Sequence, residues 1–322
     1  MLGILFILIV LTIMTFIGKD SKKENESKNG VTKLKVAEVT HSVFYAPWYV
    51  ALHNNYFDNL DIEVILTSGA NNVTSAVLSG DVEIGFCGPE ATIYVYKENK
   101  DDYVQSFAGL TKRDGQFLVL RKGIKYDNFK SIEGLTILGG RSGGMPLINF
   151  KQALKNENIS NVKVDDTVDF ANLSSAFIAG TGDGVNLFEP NATNLVKNGY
   201  GYIADSIGVH AGEVPYTAFN AKRSFIENNK DVIKTFYKGI EKGLEYVHTH
   251  SEEEIYEIIK SEFPDTKKDD LIAMIKNYKK YDSWLKEPKI TEQSFKNLED
   301  MIIDNNLLDK YVPYKDLVYE VN

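Results

Sequence analysis

Two acids and one arginine sit where ligand chemistry is possible. Glu90 follows GDVEIGFCGP, and Glu189 follows TGDGVNLF. Each carboxylate comes off an apolar, strand-like run and precedes a helix-like one. A carboxylate so placed can accept hydrogen bonds from amino or ring N–H groups of a ligand. It can also simply favour the positive end of the helix that follows. Arg141 lies in LTILGGRSGGMP, a glycine-rich turn between a strand and a helix. Such a turn exposes backbone N–H groups and admits close approach, while the guanidinium suits a polar or anionic substituent. The turn lacks the GK[ST] ending of a P-loop and does not fit G-x-G-x-x-G, so ATP and dinucleotides are excluded as its ligands. Phe44, Tyr45 and Trp48 could stack on a flat ring, worth roughly 0.5–1.5 kcal/mol beyond burial, or could pack in a core.

Other reactive side chains are sparse. Cys87 is the single cysteine, so no disulfide forms within the chain and no CxxC site exists. The five histidines form no HExxH motif. His248 and His250 are two residues apart and do not share a helix face. No catalytic residue, metal or cofactor is expected.

The elements that would hold these residues alternate strand with helix. Lys33–Val39 and Asp61–Leu66 read as strands, with Pro47 opening a helix between them. Parallel strands joined through a helix make a right-handed unit. A second set follows at Leu135–Leu138, Val162–Asp166 and Val185–Phe188. The two sets echo one another. SAVLSGDVEIGFCGPEAT begins at Ser75, and SAFIAGTGDGVNLFEPNAT begins at Ser175. If the echo is structural, Glu90 and Glu189 face one cleft from opposite lobes, because ligands of open α/β sheets bind at the carboxyl ends of the strands. Beyond residue 230 the pattern turns helical: Val232, Ile233, Phe236, Tyr237, Ile240, Leu244 and Val247 share a stripe, and Ser251 with Glu254 makes a capping box. The extended segments Gln116–Lys122 and Pro215–Lys222 would connect the lobes, with 32–117 and 220–322 forming lobe 1 and 118–219 inserted as lobe 2.

The N-terminus differs. MLGILFILIVLTIMTFIG carries no charged side chain, which over residues 1–18 suits a signal peptide or a membrane anchor. Residues 19–31 are polar and read as a disordered linker. The net charge of −9 argues against nucleic acid as a partner.

SGDVEIGFCGPEATIY, GGRSGGMP, TGDGVNLFEP and GEVPYTAF, in this order, resemble the solute-binding proteins of ABC importers, in the group that takes sulfonates, nitrate, taurine and pyrimidine precursors of thiamine. The likeness runs from about Lys33 to Val318. It implies a type II periplasmic-binding-protein fold: α/β, two lobes, each a mixed and largely parallel sheet flanked by helices, with the ligand between them. It further implies a monomer outside the cytoplasmic membrane or in the periplasm, a small-molecule ligand and a permease partner; membrane contact is expected from the apolar N-terminal segment itself. Where lipoproteins of this kind carry an acylated Cys, this chain has Lys19, so no lipid is expected there. The candidate ligand-binding set is Tyr45, Trp48, Ser68, Gly69, Asn71, Gly88, Glu90, Arg141, Ser142, Gly143, Gly144, Asp183 and Glu189.

Two carboxylates in the cleft would oppose sulfonate or nitrate, because an uncompensated buried charge costs several kcal/mol. They suit a nitrogen heterocycle such as a thiamine-pyrimidine precursor. Sulfonate, taurine or nitrate is the alternative ligand. A eukaryotic relative of the group resembles a pyrimidine synthase with a cysteine-rich motif. Cys87 alone cannot supply that motif, and no evident base partners it, so a binder rather than an enzyme is expected.

Overall fold

The computed structural model describes residues 30–98 and 101–321; what the sequence suggests for residues 1–29 lies outside the described residues. In chain order the elements are β1 (Thr32–Glu38), α1 (Ala46–His53), β2 (Leu60–Leu66), α2 (Ala70–Ser79), β3 (Ile84–Cys87), α3 (Glu90–Lys97) and β4 (Val104–Thr111). Then follow β5 (Phe117–Arg121), β6 (Thr136–Leu138), α4 (Met145–Asn156), β7 (Lys163–Asp165), α5 (Leu173–Ile178), β8 (Gly184–Leu187), α6 (Asn191–Lys197), β9 (Gly201–Ser206) and α7 (Ile207–Ala211). The chain closes with β10 (Thr217–Lys222), α8 (Arg223–Asn228), α9 (Lys230–Thr249), α10 (Glu252–Ile259), α11 (Lys268–Lys280), α12 (Glu292–Asp304) and α13 (Tyr314–Leu317).

The strands form two sheets of one design, ordered β2-β1-β3-β10-β4 and β7-β6-β8-β5-β9. In the first, β1 pairs in parallel with β2 and β3, and β10 runs antiparallel between β3 and β4. In the second, β6 pairs in parallel with β7 and β8, and β5 runs antiparallel between β8 and β9. Each lobe is thus a mixed sheet flanked by helices, the two-lobed fold that the resemblance implies. The fourth strand of each sheet reaches it across a crossover, β4 to β5 on one side and β9 to β10 on the other. The boundary suggested at residue 219 falls inside β10, all of which pairs in the first sheet. The echoed stretches occupy matching places, α2-β3-α3 in one sheet and α5-β8-α6 in the other.

The first sheet packs beneath α1 and α9. The stripe on α9 buries Ile233, Phe236, Ile240, Leu244 and Val247. A Cβ at Gly239 would collide with the Phe57 ring, and one at Gly243 with the Pro47 carbonyl, so these glycines let α9 press against the α1 region. Beneath them Phe86 and Phe219, on paired strands, stack at 4.1 Å and 9°. The capping box is present: Ser251 Oγ accepts from the Glu254 N–H, and the Glu254 carboxylate accepts from the Ser251 N–H at 2.8 Å.

Candidate functional site: a cleft between two sheets

The carboxyl ends of the parallel strands of both sheets open on one cleft of about 460 Å³. The first sheet contributes Val39 and Thr40 after β1, Ser68, Gly69 and Asn71 after β2, and Gly88 and Glu90 after β3. The second contributes Gly140, Arg141, Gly144 and Met145 after β6, Asp169–Asn172 after β7, and Phe188 after β8. Tyr216 and Thr217, where the chain returns to the first sheet, complete the lining. Gly140 and Gly143 lie at φ +86° and +82°, a region that side-chain-bearing residues avoid, so the turn around Arg141 depends on them. Helices α2, α3 and α4 all start at this cleft.

Glu90 is the most constrained group. It is 2% exposed, and its Oε2 is buried without a hydrogen-bond partner. Burial pushes its pKa up to about 7; the backbone N–H groups of Glu90 itself, Met145 and Ala91 and the positive charge of Arg141 pull the other way and lose. Gly88 is required beside it, because any side chain there would occupy the place of the Glu90 carboxyl. Arg141 donates from Nη2 to Asn71 Oδ1 at 3.1 Å and from Nη1 to the Ser142 carbonyl at 3.2 Å. The first bond crosses the cleft. Tyr45 lines it, and its ring packs on Phe86 at 4.4 Å.

Of the residues selected from sequence, Tyr45, Ser68, Gly69, Asn71, Gly88, Glu90, Arg141 and Gly144 come together here. Five do not line this cleft. Trp48 is fully buried on α1 among Phe57, Phe86, Phe219 and Phe236, and its Nε1 donates to Glu38 Oε2 at 3.1 Å. Asp183 accepts from the Thr136 N–H at 2.8 Å, at the amino ends of β6 and β8, the opposite edge of the sheet. Ser142 turns its carbonyl to Arg141, and the Gly143 carbonyl accepts from Tyr94 at 3.0 Å. Glu189 lines an adjoining cavity instead. Its two oxygens accept from the Thr193 N–H and hydroxyl, each at 2.9 Å, which caps α6. Burial raises its pKa, against those two bonds. The matching acids of the two lobes therefore do different work.

Sequence reasoning missed Thr40, Met145, Phe170, Phe188, Tyr216 and Thr217. The strand-end rule that selected Glu90 applies equally after β1, β7 and β8, and PYTAF was already flagged as a connection. Glu38, at the end of β1, carried no signal; its carboxylate is fully buried and accepts from Trp48, from Tyr49 at 2.9 Å and bonds His41 at 3.2 Å. Cys87 lies under the floor, and burial pushes its thiol up to about 12, which leaves it protonated. Among the described residues no group of three His, Cys, Asp or Glu is placed to hold a metal.

The family described as NMT1/THI5 like matches residues 43–254. This chain belongs to that family. YtlA of Bacillus subtilis (strain 168), a candidate binding protein by its name, is 40% identical over 293 residues, covering 89% of this chain and 88% of YtlA. The ligand-binding component of an ABC-type import system from Staphylococcus aureus, solved with zinc bound, superposes with a TM-score of 0.71 at 12% identity, over 89% of this chain and 96% of that one. The alkanesulfonate-binding protein SsuA from Xanthomonas axonopodis pv. citri, solved with MOPS, superposes with a TM-score of 0.68 at 13% identity, over 92% and 100%. These two share the fold of the family member described here.

Proposed function

We infer that the protein is the solute-binding component of an ABC importer, working outside the cytoplasmic membrane and handing its ligand to a permease. The ligand is a small nitrogen heterocycle of the aminopyrimidine kind. The observation that carries the ligand class is the unpartnered, buried Glu90 Oε2 in the wall of a cleft flanked by Tyr45, Phe170, Phe188 and Tyr216. A buried acceptor without a donor costs about 1–3 kcal/mol, and a ligand N–H recovers that cost on binding. The aromatic faces suit a flat ring.

The start of three helices at the cleft, together with Arg141, supports a second reading, a sulfonate or nitrate anion. Glu90 separates the two. Calorimetry with the hydroxymethyl aminopyrimidine of thiamine, with taurine and with nitrate tests the choice. Binding of the pyrimidine alone, weakened in Glu90→Gln by about 1–3 kcal/mol, is the expected result. Binding of taurine or nitrate, strengthened in Glu90→Gln, overturns it.

A further inference from the structure

The cleft does not end at the ring-sized chamber. A second cavity of about 360 Å³ adjoins it and shares six wall residues with it: Val39, Thr40, Ser68, Phe170, Ala171 and Phe188. Like the first, it lies between the lobes, with His41 and Thr67 on one side and Ser174, Glu189 and Asn191 on the other. The Ser174 hydroxyl is buried there without a partner. No Lys or Arg lines this chamber among the described residues. The His41 ring is already held at both nitrogens, by Glu38 Oε1 at 3.2 Å and the Glu262 carbonyl at 2.9 Å. Glu189 turns both oxygens to Thr193.

We propose that the ligand is a flat ring bearing a neutral, hydrogen-bonding side arm, with the ring beside Glu90 and the arm in this second chamber. The proposal rests on the heterocycle reading of the first chamber. The shared walls set the two chambers side by side, and a ligand filling only the first leaves the Ser174 hydroxyl unsatisfied. A phosphate, sulfonate or carboxylate arm would meet the Glu189 side with no Lys or Arg in the wall to pair it, and the His41 ring is already engaged by Glu38 and Glu262. A hydroxyl or amide arm can donate and accept among Ser174, Thr40 and Asn191.

Three aminopyrimidines test this: the bare ring, the ring with a hydroxypropyl arm, and the ring with a carboxyethyl arm. Each is titrated calorimetrically into wild type, Ser174→Leu and Asn191→Leu. The hydroxypropyl arm is expected to tighten binding to wild type by about tenfold or more over the bare ring, and the carboxyethyl arm not at all. Both variants are expected to lose that gain while holding the bare ring within about twofold of wild type. Asn191 is exposed at the start of α6, so its variant carries the comparison should Ser174→Leu not fold. No gain in wild type, an undiminished gain in a folded variant, or equal binding of the carboxyethyl ring overturns the arm while the ring reading stands. Failure of all three rings to bind wild type overturns the ring reading, and the arm with it.

Discussion

Glu90 carries opposite demands from fold and ligand. Folded, it keeps its proton up to about pH 7; unfolded, it releases it near the ordinary 4.5. Between those values the unfolded chain binds fewer protons, so this group's contribution to stability falls as pH rises, and the loss is complete above about pH 7. Glu90→Gln removes the titration and keeps the size. The variant is expected to be more stable than wild type at pH 8, by roughly 3 kcal/mol at most, and about equally stable at pH 5. Melting curves at the two pH values check this; a variant less stable at pH 8 would assign Glu90 a structural role instead. Glu189, the acid at the matching place, is committed to capping α6. The sequence could not tell them apart. Both follow a strand and precede a helix, and what separates them is where the following helix offers donors, which Thr193 does for one acid only.

At the scale of elements, α7 shows how the second sheet is tied down. His210 bonds Glu157, just past α4, at 2.7 Å and Asp205 on β9 at 3.0 Å, and its ring stacks on Phe129 at 4.0 Å. Asn156 donates to the His210 carbonyl at 2.8 Å, and Tyr126 donates to Asp205. Burial alone would lower the imidazole pKa, but the two carboxylates reverse this and leave it above 6.5. The ion pairing is therefore fully present below pH 6.5 and lost as pH rises through the raised value. His210→Gln is expected to cost about 1–2 kcal/mol at pH 6 and much less at pH 9. Chemical denaturation at both pH values would show it, and an equal loss at both would refute it. The elements themselves were largely legible. The alternation of β3, the stripe of α9 and the capping box at Ser251 each depend on neighbours close in sequence. Asp183 and Trp48 were misplaced for the converse reason. Which end of a strand faces the cleft, and which side of α1 faces the core, are decided by contacts far along the chain.

At the scale of the whole molecule, the lobes meet through bonds on both sides of the cleft. Arg141 reaches Asn71, Tyr94 reaches the Gly143 carbonyl, and Ser42 Oγ donates to the Glu189 carbonyl at 2.6 Å. Lys155 pairs with Asp304, and Lys197 with Asp270, from the second lobe to the C-terminal helices. These contacts draw the lobes together across the cleft, so a ligand that adds to them should raise the population in which the lobes are closed. Small-angle scattering is expected to give a smaller radius of gyration at saturating ligand than without it. An identical profile at confirmed saturation would mean that the lobes do not part.

The crossed strands also set an order of events in time. β10 lies between β3 and β4, yet more than a hundred residues separate it from either in the chain. A chain growing from its N-terminus has β1 through β4 in hand early but has no way to join β3 to β4. The second sheet is different: β5 precedes its partners β8 and β9, and all five of its strands are present by Ser206. The sheet begun first is therefore finished last. Until Lys222 has emerged, the half of the protein that carries Glu90 remains an open edge, held unfinished while the other half can already close.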